Sequence, residues 1–245
     1  MRILIIDIET SPNLAWVWGL WDQNVGINQI HTVSSVMSFA AKWHGDKRVE
    51  FASVFDDGAE AMVRKAWDLI DEADAVVHYN GKAFDMKHLN REFLLAGLGP
   101  PSPHTDIDLL LTVKQRFKFQ SNKLDFVSRQ LNIGNKVKHD GFELWLRCIQ
   151  QDEQAWRLMR RYNIQDVRLT EELYDELLPW IKQHPNRAVI DDLVEACPRC
   201  AASEFQCRGF RHTNAGRSRR FQCNKCRGYF TSNKVERAAT QYRTI

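Results

Sequence analysis

The chain has 245 residues, 44% of them hydrophobic and 27% charged, with a net charge of +3. This length holds one sizeable globular domain and a small appendage, and no apolar run approaches the ~20 residues of a membrane span. Asp7 and Glu9 interrupt the first apolar run, so the start lacks the pattern of a secretory signal and a reducing cytoplasm is expected.

Arg2 to Ile6 is a short aliphatic, β-branched run and reads as a buried central strand that ends at Asp7 and Glu9. Thr10, Ser11 and Pro12 then turn the chain away. Side chains two apart on a strand share a face, so both carboxylates point one way while Ile8 packs behind. A divalent cation would relieve their repulsion, and hard oxygen ligands suit Mg²⁺ or Mn²⁺. The plainer reading is a solvated strand end.

Leu14 to Trp21, Val33 to Trp43 and Val49 to Phe55 read as antiparallel strands beside the first. Ala59 to Ala73 has helical spacing, and Ala75 to His78 is a short strand. Met86 to Leu98 is a helix ending in glycines ahead of Pro100 and Pro101, with Asp85 at its start. Asp106 to Phe117 predicts a helix entered from a short strand, and Lys123 to Leu131 another helix. Gly134 to Gly141 is a basic loop, and Asp152 opens a long amphipathic helix that runs to about Pro179. Strands first, then helices alternating with short strands, give an α/β fold with a mixed sheet covered by helices. The strand ends of such a sheet form a crevice suited to catalysis.

Two further stretches carry acids. Val77 to Asp85 ends a strand at Asn80, turns through Gly81 and places Asp85 at a helix N-terminus, where a carboxylate is also favoured simply as a cap. In the long helix, Tyr162 and Asp166 stand at i and i+4 and share a face. Taken singly, neither stretch means much.

Together, and in this order, Asp-x-Glu, Asn-x3-Phe-Asp and Tyr-x3-Asp resemble the motifs of the tyrosine branch of the DEDD 3′→5′ exonucleases. These belong to the RNase H-like superfamily, which includes proofreading domains of DNA polymerases. The histidine branch would need His at position 161, which is Arg161. Asp108 to Phe119 followed by Ser121 to Asp125 is similar to the segment joining the last two motifs in family-B-polymerase and phage-type members. The resemblance covers roughly residues 1 to 183, giving a nuclease domain of 1 to 184, and implies a five-stranded mixed sheet with Asp7, Glu9, Asp85, Tyr162 and Asp166 as the catalytic set. It further implies two Mg²⁺ or Mn²⁺ ions, with Asp7 bridging both, Glu9 and Asp166 holding one and Asp85 the other. Tyr162 would orient the attacking water, because a phenol of pKa about 10 is a poor base at neutral pH. Thr10 and Asn80 are candidate contacts to the terminal nucleotide.

Residues 185 to 195 read as a linker to a tail of opposite character. From Cys197 onward there are eleven Lys and Arg against two acids, net +9, while the first 196 residues carry 23 basic and 29 acidic side chains, net −6. Cys197-x2-Cys200 and Cys223-x2-Cys226 have the spacing of a structural Zn²⁺ site of four thiolates. Disulfides are the alternative, disfavoured in a reducing compartment. Cys148 and Cys207 read as spare thiols. Arginines, Arg217, Arg219 and Arg220 among them, interleave with Phe205, Phe210 and Phe221, a mixture suited to phosphate contact and base stacking. The tail, residues 196 to 245, resembles zinc ribbons of transposases and DNA-processing enzymes.

The resulting expectation is a metal-dependent 3′→5′ exonuclease acting on DNA ends, its ribbon gripping the strand. Proofreading would then serve a separate DNA polymerase or replication protein. An RNA-directed enzyme of the same family and a DNA-binding recruiter acting through the ribbon are the alternatives.

Overall fold

The computed structural model describes residues 1 to 214 and 216 to 237. Contacts divide the chain into two units, Arg2–Leu173 and Tyr174–Ile245 together with Met1.

The first unit is built on β1 (Ile3–Thr10), β2 (Leu14–Ala15), β3 (Ile30–Thr32), β4 (Val36–Trp43), β5 (Glu50–Ser53), β6 (Ala75–His78) and β7 (Thr105–Asp108). Its helices are α1 (Ala59–Asp71), α2 (Asp85–Leu95), α3 (Leu109–Arg116), α4 (Leu124–Gln130), α5 (Phe142–Ile149) and the start of α6 (Glu153–Leu177). The main sheet has the order β5-β4-β1-β6-β7. β1 runs antiparallel to β4 and parallel to β6, so the sheet is the mixed, five-stranded, RNase H-like one, flanked by helices.

Strand alternation sorts β1 between two cores. Leu4, Ile6 and Ile8 pack with Phe39 under α1 and α2, against Met62, Ile70, Leu89 and Phe93. The odd residues Asp7 and Glu9 face the opposite side, where Met37, Leu144, Cys148, Trp156, Met159 and Tyr162 form a second core from α5 and α6. Cys148 is fully buried there, and burial pushes its thiol up to about 11. β1 continues past its aliphatic run. The ladder with β4 carries it through Asp7 and Glu9 to Thr10, with a bulge after Glu9.

Two stretches differ from expectation. Of Leu14 to Trp21 only Leu14–Ala15 is a strand, and it pairs with β3 in a separate two-stranded ribbon, not with β1. Its aromatic residues have no sheet face to bury, and Trp18 and Trp21 are 99% and 83% exposed. α5, unread in the sequence, buries Leu144 and Cys148.

In the second unit, the 185–195 stretch carries a short helix, α7 (Arg187–Ile190), capped by Asn186. Beyond it a four-stranded sheet is made of β8 (Phe205–Thr213), β9 (Gly216–Cys223), β10 (Tyr229–Thr231) and β11 (Glu236–Arg237), with β9 pairing all three others. Among the described residues no helix is long and apolar enough to cross a membrane.

Candidate active site

Three carboxylates converge beside β1. Asp7 and Glu9 reach across from the strand, Asp166 from α6, and one carboxylate oxygen from each lies within 4.8 Å of the other two. Asp7 is held by the fully buried Asn163, whose Nδ2 donates to the Asp7 carboxylate at 2.7 Å and to its main-chain oxygen at 3.2 Å. Asn163 in turn accepts from Ser38 Oγ at 3.3 Å.

Asp85, the first residue of α2, is buried, and its Oδ1 accepts from the Ile8 N–H at 3.1 Å. It is thereby tied to the same strand. The turn before it is tightly built. Asn80 adopts φ 74° and its N–H donates to Asp108 Oδ1 at 3.0 Å. Gly81 lies so close to His78 that a Cβ there would come within 2.3 Å of the ring, so only glycine brings α2 in at this angle. The conformation of Asn80 makes it a turn residue whatever else it contacts. Thr10, at the end of β1, is partly buried.

Tyr162 stands beside the acids on the same helix as Asp166. Its ring is met edge-on by His139 at 4.8 Å and by Trp145 at 6.1 Å. Lys136 Nζ donates to the Tyr162 hydroxyl at 3.1 Å and makes an ion pair with Asp166 Oδ2. Trp145 also lies near Glu9 and opposes the rise of its carboxyl.

The electrostatics of the group follow from crowding. Burial raises the Asp7 carboxyl well above its usual range, and the Asp166, Asp85 and Glu9 charges push it further. Burial and Asp166 lift Glu9 to about 8, and burial lifts Asp85 to about 6 against the pull of His78. Asp166 is raised by burial too, though Lys136 opposes the shift. Burial alone would lower the Lys136 ammonium, but the Asp166 charge overcomes it and the net shift is upward. Asp166 Oδ1 is buried with no hydrogen-bond partner among the described residues. Hard oxygen donors, mutual repulsion and an orphaned carboxylate oxygen together fit a divalent cation of the Mg²⁺ or Mn²⁺ kind.

In the second unit, the sulfurs of Cys197, Cys200, Cys223 and Cys226 lie within 4.8 Å of one another. The Cys197–Cys226 and Cys200–Cys223 separations are both 3.6 Å. A disulfide would need about 2.05 Å, whereas tetrahedral Zn–S bonds of about 2.3 Å put sulfurs about 3.8 Å apart. The hydrogen bond from Cys226, then backbone N–H groups, pull the Cys197 thiol down to about 4. This four-cysteine cluster is consistent with a zinc ribbon. Phe205, Phe221 and Phe230 pack together beside it.

Alternation along β9 puts Arg217 and Arg219 on one face and Arg220 on the other. Arg217 lies over the Phe210 ring at 4.4 Å and pairs with Glu236. Arg220 donates to the Arg208 carbonyl oxygen.

Of the residues marked in the sequence, the structure brings Asp7, Glu9 and Asp166 together with Tyr162 beside them and ties Asp85 to β1, while Ser38, Lys136, Trp145 and Asn163 join the group unmarked. For Asn163 a signal existed, since it lies i,i+3 from Asp166 on one helix face. Lys136 sits in the basic loop that carries no periodicity.

The chain belongs to the RNase_H superfamily, whose family model matches residues 4–178. Its fold is similar to that of the family B DNA polymerase from the hyperthermophilic archaeon Pyrobaculum calidifontis, with a TM-score of 0.56 and 21% identity over 73% of this chain. The chain spans 24% of that polymerase's length. No curated protein matches it in sequence.

Proposed function

We propose that the chain is a metal-dependent nuclease that removes nucleotides from the 3′ ends of DNA and releases mononucleotides. The observation that carries this reading is the convergence of Asp7, Glu9 and Asp166 within 4.8 Å, one of their buried oxygens unpartnered. Superfamily membership supports nuclease chemistry, and the order of the motifs supports the 3′→5′ tyrosine branch.

Asp7, Glu9 and Asp166 would hold one divalent ion, and Asp7 with Asp85 a second. When bound, such ions supply Lewis-acid activation of water and neutralise charge on the scissile phosphate. Asn163 fixes the Asp7 rotamer, and the hydrogen bond to Ile8 fixes Asp85. The Tyr162 hydroxyl, steadied by His139 and Trp145, orients the water that attacks phosphorus. Burial raises its pKa above the usual range for a phenol, so it remains protonated and acts by hydrogen bonding, not as a base. Lys136, already drawn to the carboxylates, offers its ammonium to a phosphate oxygen. We further propose that residues 1–184 are the nuclease domain, that 185–195 link it to the ribbon of 196–245, and that this ribbon binds Zn²⁺ and holds DNA. Thr10 and Asn80 would touch the terminal nucleotide, and a separate polymerase or replication protein in the cytoplasm is the proposed partner.

End-labelled single- and double-stranded DNA and RNA, incubated with Mg²⁺, Mn²⁺ or EDTA, test the reading. Mononucleotides should appear from the first time points with either ion and not in EDTA. A 3′ phosphorothioate cap should block degradation while a 5′ cap does not. Early mid-length fragments would overturn the exonuclease assignment. Preferential loss of RNA would favour a ribonuclease of the same family.

A further inference from the structure

Residues 11 to 35 leave the sheet just past Glu9 and Thr10 and re-enter at Val36, which pairs with Thr10. The segment is therefore rooted at the end of the strand that bears two of the catalytic carboxylates. It carries more exposed apolar surface than any core argument explains, with Trp16, Trp18 and Trp21 exposed by 69%, 99% and 83%, and Leu20 and Ile27 both by 89%. Exposed apolar surface of this density marks a site of interaction.

The base of the arm is also held in shape. The Ser11 N–H donates to the Ser35 carbonyl oxygen at 2.8 Å and the Ser35 N–H to Ser11 Oγ at 3.0 Å, closing the neck. Ser34 N–H donates to Asn13 Oδ1 at 2.7 Å, and Trp16 N–H to the Gln29 carbonyl oxygen at 2.9 Å. His31 meets the Trp16 ring edge-on at 5.8 Å. Trp16 thus stands on a paired stretch of backbone, and the Gln23 side-chain amide donates to the Trp21 carbonyl oxygen at 2.7 Å.

Its chemistry narrows the occupant. From Ser11 to Ser35 the only charged residue is Asp22, so the arm cannot grip phosphates. What it offers is flat aromatic surface, next to carboxylates that repel a polyanion. A strand end entering the site has bases without partners, and each base presents a face that stacks on an aromatic ring. We propose that this arm binds single-stranded DNA by stacking its bases on Trp16, Trp18 and Trp21, holding the strand whose 3′ end lies among the carboxylates. The proposal rests on the nuclease reading above. It assigns affinity to a surface of flat rings with a single charge, Asp22, which attracts the bases and not the phosphates.

The test uses the full chain and its W18A/W21A variant. Both side chains are exposed, so their loss leaves the core untouched. Fluorescence anisotropy would follow a labelled oligo-dT of about 12 nucleotides, bound in Ca²⁺. The dissociation constant should rise about 10–100-fold, which corresponds to one or two lost base stacks, while the slope of log affinity against log salt stays as it was, because no cation has been removed. Oligo-dT should also quench the tryptophan emission of the wild type far more than that of the variant. Hydrolysis of the p-nitrophenyl ester of thymidine monophosphate, which has no strand to stack, should proceed equally in both. Failure of the wild type to hydrolyse that ester would count against the nuclease reading, whereas unchanged oligo-dT affinity in an active variant would overturn the arm's role alone. A wild type that sediments as a dimer beside a monomeric variant of equal DNA affinity would likewise overturn it and make the arm a contact between copies.

Discussion

Asn163 Nδ2 grips Asp7 twice, at 2.7 Å on the carboxylate and 3.2 Å on the main-chain oxygen of the same residue. One buried amide therefore fixes both the strand position and the side-chain rotamer of an acid that feels the charges of Asp166, Asp85 and Glu9 alike. Residues of this kind orient metal ligands, and their loss costs about 10–100-fold in metal affinity. Asn163→Ala should weaken Mn²⁺ binding by that factor, as read by isothermal titration, with cleavage largely recovered at high Mn²⁺. An unchanged Mn²⁺ affinity would mean that Asp7 is oriented by the sheet alone.

Asp7→Ala should remove cleavage altogether, since it deletes the one carboxylate proposed to serve both ions. Tyr162→Phe should be milder. It removes the hydroxyl that meets Lys136 but no metal ligand, and a rate loss of about 10–100-fold with unchanged Mn²⁺ affinity is expected. A Tyr162→Phe variant as inactive as Asp7→Ala would show the hydroxyl to be more than an orienting group.

The metal-free protein should lose stability as pH rises. Glu9 is raised from an ordinary 4.5 to about 8 in the folded chain, so the folded state holds this proton more tightly than the unfolded one. That contribution is complete below about pH 4.5 and is lost on the way to about pH 8; Asp85, lifted to about 6, adds to the loss across the lower part of that range. Thermal melts in EDTA should fall across this window, by about 2–4 °C for each kcal/mol. Mn²⁺ should raise the melting temperature more at the alkaline end, and Glu9→Gln should flatten the EDTA profile. A profile that rises with pH would contradict the crowding of charge described here.

Much of this site is legible in the sequence because the acids sit on strongly periodic elements. The run Ile3–Ile6 is buried throughout, and alternation alone sends Asp7 and Glu9 to one face. Asp85 and Asp166 are likewise marked by a glycine turn and by helical spacing. What stays hidden depends on contacts between distant segments. Lys136 reaches Asp166 from an aperiodic loop, Trp145 lies on a helix of eight residues, and the Ser38–Asn163 bond joins residues 125 apart. Leu14 to Trp21 misleads for the opposite reason. Its β-prone aromatics look like a strand of the main sheet, yet they have no partner face and remain in solvent.

The four-cysteine cluster should bind one Zn²⁺ per chain, measured by elemental mass spectrometry, and Cys226→Ser should release it. Phe205, Phe221 and Phe230 form too small a core to hold that sheet without a metal, so the variant should lose ordered structure there. Zinc retained at full stoichiometry in Cys226→Ser would mean that the four thiols are not a single site.

The last prediction concerns what the ribbon does for binding. Arg217 is engaged with Phe210 and Glu236, and Arg220 with the Arg208 carbonyl, whereas Arg219 is exposed on the face it shares with Arg217. If about six basic residues contact phosphates at once, log affinity for single strands should fall with log salt at a slope of about −4. Arg219→Ala should reduce that slope by about 0.7, the share of a single released counterion, without lowering the melting temperature. Arg217→Ala and Arg220→Ala should do the same to the slope but also loosen the ribbon, because each removes a contact that holds two strands together. A salt titration in Ca²⁺ of the three variants and the parent chain reads these differences directly. Four identical slopes would mean that this strand of the ribbon does not meet the nucleic acid, and a protein partner would then be the better account of its arginines.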